Sequence, residues 1–502
     1  MKHPSRTPEE RRRLEEILAE REIDYWDIVW GQFRQDRTAV FGLLVILVLF
    51  ALAVFAPVLA CHVPISYVES GELRLPLYRY LMNMDSSVDY VFNMAMLLTA
   101  PWIVAVFVIR RGRKEGISGD RLLRFHTIPL AIAIVGVLGW SVSCDPEAPS
   151  PSNAARGFLA QGAFLLSLVW MGQGFAAWVM GRGRKTPKRF LLLQLGAFLS
   201  VLVAAAVAFG PQRLPLLRNP NVLHPTYDLV EIQKEEYYRS AEFEGRGWWP
   251  PIRHSYLDQD REHAYVWPGQ HGHVLGSNGN GYDILSQLLY GARIALTIGF
   301  VGVAIYMVIG TVLGALAGYF GGWIDILISR FVEVMITFPS FFLILVLVGL
   351  LQGRPDVREH LPQIFLIMIV IGLVSWTHEA RLIRGEFLRL RNRDFVTAAR
   401  ALGVSNVGII FRHILPNAIA PALVAATFGI GSAILTEGAL SFLGIGIDPP
   451  APSWGKMLRD GYDAQYFPFL LPPPAIMIFV TVTAYNLVGE GLRDSLDPHL
   501  RK

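Results

Sequence analysis

The sequence predicts an all-α, polytopic membrane protein with about ten transmembrane helices. Three observations carry that prediction. Hydrophobic residues make up 53% of the 502 positions. Charged residues make up only 17%, against about 25% in ordinary soluble domains. The apolar residues also fall into separate runs long enough to cross a bilayer. With a mean hydropathy of +0.39, a soluble fold could not hide this much apolar surface, so the lipid bilayer is the expected solvent. The formal charge of +4 points to no nucleic acid partner. Two cysteines in the whole chain exclude a disulfide scaffold and a cysteine-rich metal site.

The elements follow in chain order. Residues 1–37 are polar and basic, with no short apolar core near the start to suggest a cleavable leader. Arg11, Arg12, Arg13, Glu15 and Glu16 precede Trp26, Ile28, Val29, Trp30 and Phe33, a pattern that reads as an amphipathic cytoplasmic segment or as a solvated charged tail. A crossing helix needs about 20 apolar residues. The first such run covers 38–61. Four more lie over 88–109, 125–143, 157–180 and 190–210, within region 62–210. Residues 211–292 are rich in Pro, Tyr and Trp and read as a small irregular external cap. Five runs follow within 293–502, over 293–319, 331–351, 361–376, 418–440 and 470–488.

Short basic loops stay on the cytoplasmic side. Loop 110–124 carries six Lys or Arg, loop 181–189 carries five and loop 379–413 carries seven. Ten crossings put all three on one side together with both termini. Cys61 and Cys144 fall at outer ends of runs, where a disulfide is geometrically feasible and undecided by sequence.

The most informative segment lies in the cytoplasmic loop 379–416. Asp394 suits an N-cap, and Thr397, Ala398, Ala399 and Leu402 are helix-compatible. Gly403 suits the left-handed position that ends a helix, and Ser405 can cap the next. Val404, Val407, Phe411 and Ile414 recur at helical spacing, predicting one apolar face. Ile414, Leu415 and Pro416 close the segment, and Pro416 is expected to restart the chain before the next span. Two short helices joined at a glycine make a rigid knob that another protein's groove could hold.

This segment resembles the "EAA" loop of permease subunits in ABC importers, with Gly403 as the loop's glycine and Ile414-Leu415-Pro416 as its end. The wider resemblance is to the second, C-type permease of the dipeptide/oligopeptide/nickel importer family. It is carried by Asp36-Arg37, His273 to Asn278 with Gly281 to Ser286, Leu289 to Arg293, Ala317 to Asp325, Phe338-Pro339, Leu440 to Gly444, and Gly489 to Asp494 with Leu496 to Pro498. These pieces fall in family order over 36–61 and 270–500. Two departures stand out. Thr397 replaces the family's Glu before the paired alanines, and Gly276-Ser277-Asn278 with Gly281-Tyr282-Asp283 loses two charges of the external motif.

The resemblance implies a six-span permease core, with 62–210 as an insertion carrying four further spans. It implies half of a translocation pathway in the bacterial cytoplasmic (inner) membrane, for short peptides, or for nickel or another small solute. It implies a homologous permease subunit as partner, two ABC ATPase subunits that bind ATP and Mg and dock the loop, and an extracytoplasmic solute-binding protein. No cofactor is expected on this chain. A nucleotide-holding loop ending Gly-Lys-Ser/Thr is missing from the sequence, since Arg184 precedes Lys185-Thr186. The chain is therefore expected not to be an enzyme.

Other signals are weaker. Gly310, Gly314 and Gly318 form a small-residue stripe that lets a helix approach closely, either within the subunit or from a second permease. His254, His263, His271 and His273 share one external segment, but spacing alone defines no metal site, and His273 falls where the family motif has its own histidine. Glu333, Glu379, Glu437 and Glu490 lie in or beside spans, where charge is costly. Glu437 is a candidate for the substrate path or for a buried structural hydrogen bond. A membrane-embedded lipid enzyme is disfavoured because the inserted spans are nearly free of charge. A non-transport scaffold or sensor remains open.

Overall fold

A computed structural model describes residues 25–69, 72–74 and 246–496, with seven further positions between 77 and 96. The predicted spans over 125–143, 157–180 and 190–210, most of 88–109, the basic loops 110–124 and 181–189, the pattern of residues 1–24, and Cys144 lie outside the described residues.

The described residues form a helical bundle. Helix α1 (Tyr25–Phe33) leads into α2 (Arg37–Leu59). The long α3 (Ile284–Phe320) is followed by α4 (Gly322–Thr337), α5 (Ser340–Gln352) and the short α6 (Pro355–His360). Then come α7 (Gln363–Leu390), α8 (Asp394–Ala401), α9 (Asn406–Gly408), α10 (Leu415–Phe442), α11 (Trp454–Asp463) and α12 (Pro472–Leu496). Among these, 5 helical segments are long and apolar enough to cross a membrane, or 6 if the bent pair α4–α5 counts as one span. These correspond to the six runs predicted outside 62–210.

Three boundaries and one element type differ from the sequence reading. The run 331–351 is broken: α4 and α5 meet at an angle of 82°. Phe338 and Pro339 are extended there, because the residue before a proline is pushed out of the helical region. Helix α3 begins nine residues before the predicted run at 293, because Asp283 caps it by accepting from the Ser286 backbone N–H at 2.8 Å. Helix α7 continues through 379–390, which the sequence reading gave to a loop on its charges. Those arginines and Glu386 lie on an extension that is still helical. Finally, three short strands interrupt the all-α pattern: β1 (Ser66–Glu69) pairs antiparallel with β2 (Glu72–Arg74) and with β3 (Arg246–Trp248).

Helix directions follow from packing. Gly310, Gly314 and Gly318 of α3 meet Glu379, Ile383 and Phe387 of α7 in rising order, so these two helices run parallel. Helix α10 runs the other way, with Gly299 against Ile430 and Ile434, and Tyr306 against Gly429. Helix α2 packs on α12 and α3, while α4 and α5 pack on α3 and α7. One end of the bundle therefore carries α8 and α9, and is called the knob end. The other carries residues 246–283 and 443–471, and is called the cap end.

Local chemistry sets the start of α2. Asp36 accepts from the Thr38 backbone N–H at 2.9 Å, the Thr38 hydroxyl at 2.6 Å and the Ala39 N–H at 3.3 Å. The Thr38 hydroxyl, and the two N–H groups with it, hold its carboxyl below the usual range against a contrary push from burial. Asp36→Ala should cost about 1 kcal/mol, the usual value of an N-cap. Because the folded pKa is depressed, this contribution is present above the unfolded value and fades as pH falls through the folded one. Thermal unfolding of wild type and variant at neutral and strongly acid pH checks both statements. The gap in melting temperature should shrink in acid.

Candidate functional site

The knob is built by two adjacent caps. At the end of α8, Ala401 is the last helical residue, Leu402 is the C-cap and Gly403 takes φ +74°. The Gly403 N–H donates to Arg400 O at 3.0 Å, and the Val404 N–H to Ala399 O at 3.1 Å. Those two bonds define a Schellman turn, which satisfies carbonyls that a helix end leaves bare. Ser405 then caps α9, its hydroxyl accepting from the Gly408 N–H at 3.2 Å. Both features match what the sequence leads one to expect of these residues.

Other expectations for the knob need correction. The N-cap of α8 is Arg393, which makes no side-chain cap bond, and Asp394 is the first helical residue. There its charge still favours the helix N-terminus. Pro416 does not restart the chain. A π-helical turn, Ile409–Ile414, joins α9 to α10 without a break. The Leu415 N–H donates to Ile410 O, five residues back, and Pro416 sits in the first turn of α10. The wider turn accommodates a residue that has no N–H to give.

The π turn also changes which side chains share a face. Ile409, Ile410 and Ile414 are buried, while Val407 and Phe411 point outward. The predicted single face through Val404, Val407, Phe411 and Ile414 is therefore split in two. The inward set joins Val396 and Ala399 of α8 against Ile383, Phe387 and Leu390 of α7 and Ala315 and Tyr319 of α3. Tyr319 Oη donates to Asn406 Oδ1 at 2.7 Å, and Arg391 Nη1 donates to Gly318 O at 3.1 Å. Arg384 grips Asp325 of α4 with two bonds, the longer from Nη2 at 2.8 Å. The knob is thus seated on the ends of α3 and α7.

Of the sequence-selected loop residues, Asp394, Thr397, Ala398, Leu402 and Gly403 are exposed. Ala399 and Ile414 are buried inward, and Val404, Leu415 and Pro416 are half-buried. Phe395, which the sequence reading passed over, is 40% exposed beside them. An aromatic residue on a short charged helix is the signal that could have found it. The outward face carries Leu402, Val407 and Phe411, at 83%, 65% and 60% exposure. These large apolar groups stand far out on the turn that joins α8 to α10.

The remaining selected residues lie inside the bundle. A Cβ on Gly310, Gly314 or Gly318 would lie 2.5–2.6 Å from an atom of α7, so the stripe faces α7 of the same chain. Glu437 is buried and accepts from Ser441 Oγ at 2.7 Å and Ser453 Oγ at 2.6 Å, which ties α10 to the cap of α11. Glu379 is buried against Gly310, and Glu490 is exposed. At the cap end the four histidines form two ring pairs, His254 stacked on His273 and His263 tilted against His271. His273 is bound to Asp283 and His263 to Asp260. Among the described residues no group of three His, Cys, Asp or Glu is placed to hold a metal ion.

Comparison with known proteins agrees with this geometry. Residues 310–502, which include the whole knob, match the family described as binding-protein-dependent transport system inner membrane component. Residues 24–76 match the N-terminal transmembrane domain of oligopeptide transport permease C. The dipeptide transport system permease protein DppC of Alkalihalophilus pseudofirmus is 42% identical over 230 residues, covering 46% of this chain and 73% of the relative. This chain belongs to the binding-protein-dependent transport permeases.

Other relatives of the permease carry different transport names. The glutathione transport system permease protein GsiD of Pectobacterium atrosepticum is 38% identical, covering 49% of this chain and 78% of its own. The oligopeptide transport system permease protein OppC of Haemophilus influenzae is 39% identical, covering 50% and 78%. Among solved structures, the methionine ABC transporter MetNI in inward-facing conformations aligns with a TM-score of 0.36 and 17% identity, over 43% of this chain and 98% of the other. The family matches and the named relatives make the permease a multi-pass membrane subunit of a binding-protein-dependent ABC importer.

Proposed function

We propose that this permease forms one half of an import pathway for short peptides across the bacterial cytoplasmic membrane, and that the knob couples it to an ATPase subunit. The observation that carries the coupling role is the outward apolar face of Leu402, Val407 and Phe411 on a turn whose other side is packed into α3 and α7. Covering such a face in a groove removes apolar surface from water. Push applied there reaches α7 and α10 directly, because the knob shares one core with them. The cargo class rests on relatives named for dipeptides, oligopeptides and glutathione.

In this reading the knob end is cytoplasmic, as are both termini. Two ATPase subunits hold ATP and Mg, and their closure moves the knob as a rigid body. That movement favours an outward-facing arrangement, and hydrolysis resets it, a population shift driven by nucleotide. A homologous permease covers the exposed apolar faces of α4 and α5, which carry Trp323, Phe331, Val334, Phe342 and Leu350. A solute-binding protein delivers cargo at the cap end. Glu437 belongs to the tie between α10 and α11 and not to the substrate path.

The test replaces Leu402 and Phe411 together by Asp. Both side chains are exposed, so the fold should be retained. Co-purification of the ATPase subunits with the permease should fall by at least about tenfold, the effect of roughly 1.4 kcal/mol in binding. Undiminished co-purification would remove the knob from the contact.

A further inference from the structure

Arg293 is a charge in the wrong place for a membrane helix, and its surroundings say why it is there. It sits ten residues into α3 and is completely buried, a position arginine takes almost only when paired. Its first partner is explained by the sequence of α2. Pro57 lies inside that helix and has no N–H to give to the carbonyl four residues back. That carbonyl belongs to Ala53, and Arg293 Nε donates to it at 2.7 Å. Arg293 Nη2 reaches Val54 O at 3.4 Å. The guanidinium therefore repairs a proline-broken turn and locks α3 to α2.

Its charge is balanced from elsewhere. Arg293 Nη1 lies 2.8 Å from Asp89 Oδ1, and the second oxygen of Asp89 accepts from Tyr256 Oη at 2.7 Å. Tyr290 and Phe92 flank the guanidinium at 4.9 and 5.4 Å from their ring centres. Burial and the neighbouring Asp89 charge push the Tyr256 phenol well above its ordinary value, so it stays a donor. Asp89 and Phe92 lie between the two family matches, which cover 24–76 and 310–502. Around Asp89, the helical positions Val88, Phe92 and Met96 are buried four residues apart, which puts them on one face. Val88 and Phe92 join the bundle core with Ala53 and Ile294, and Met96 packs with Cys61 and Val63.

We propose that the flank of α2 and α3 around Arg293 is the docking surface for the inserted region of this chain, with Asp89 as the anchoring carboxylate. The charges are complementary, the face around Asp89 is apolar at helical spacing, and Tyr256 of the cap closes the site from above. Helices α4 and α5 pack elsewhere, on α3 and α7, so an insertion held on this flank leaves their exposed face open. The inference does not depend on the cargo or on the coupling role of the knob.

The test is a double-mutant cycle in the full chain, within the assembled importer. Asp89→Asn leaves Arg293 charged in a dry site, and Arg293→Gln leaves Asp89 so. Each alone should lower the folding equilibrium constant on the order of a hundredfold, since breaking a buried pair from one side is far worse than removing both charges. The double variant keeps a hydrogen-bonding amide at each position and should recover to within about tenfold of wild type. Hydrogen exchange then reads the docking itself. In Asp89→Asn the amides of 88–96 should exchange at least tenfold faster, while those of 394–416 stay as in wild type. Single variants no worse than the double, or unchanged protection of 88–96, would overturn the assignment. Should Asp89→Asn not fold at all, the double variant alone decides, because its failure to recover would remove the pair as the anchor.

Discussion

Gly403→Pro is expected to abolish ATP-driven uptake while leaving the subunit in the membrane. The glycine sits at φ +74°, and proline is locked near −65°. Proline also deletes the N–H that donates to Arg400 O at 3.0 Å. Either defect alone undoes the Schellman turn. A Cβ built at this position meets nothing within 4 Å, so the damage arises from the backbone and not from a clash. It should stay local, because Gly403 itself is exposed and no side chain of the spans packs against it. Gly403→Ala separates the two contributions. It keeps the N–H and suffers only the left-handed backbone, a cost of about 1 kcal/mol, so it should retain part of the uptake. The measurement is accumulation of a labelled dipeptide in membrane vesicles, normalised to the permease present. Wild-type uptake by Gly403→Pro would show that the turn does not transmit the motion.

That glycine illustrates what a sequence makes legible. A helix end, a left-handed residue and a following serine cap are local events, decided by a few adjacent residues, and here the structure agrees at Gly403 and Ser405. Long apolar runs are equally local, and the helices that match them form the bundle. The face of Val407 and Phe411 was not legible. A phase of 3.6 residues per turn across 404–414 predicts one face, and the π turn at Ile409–Ile414 shifts that phase. The bend at Phe338-Pro339 was within reach, since the dipeptide carries its own restriction. Length and hydropathy alone favoured one straight run. Arg293 marks the opposite limit. Nothing near it in sequence explains a buried charge. Its partners are the orphan carbonyl left by Pro57 and the carboxylate of Asp89, both more than two hundred residues away.

The largest structural effect is expected at Gly314, where the stripe comes closest to backbone. A Cβ there would lie 2.5 Å from Ala380 O and 2.9 Å from Ile383 Cβ. A side-chain tip could rotate away, but a helix carbonyl and a Cβ are fixed by the α7 backbone. Gly314→Leu must therefore push α3 and α7 apart. Overpacking a tight core typically costs about 1–3 kcal/mol, and here the strain is spread along two parallel helices. Ile383 and Phe387, on the same stretch of α7, form the floor on which Ile409, Ile410 and Ile414 seat the knob. Displacing that floor should lower the melting temperature of the purified permease and weaken its hold on the ATPase subunits together. Gly385→Leu is the control. It lies on α7 five residues beyond Ala380, it is exposed, and a Cβ there meets nothing within 4 Å. Replacing a helical glycine by leucine also favours the helix by a fraction of about 1 kcal/mol, so this variant should match wild type or exceed it. Equal tolerance at both positions would mean that α3 and α7 do not rely on close approach, and that the four-residue spacing of Gly310, Gly314 and Gly318 serves some other neighbour.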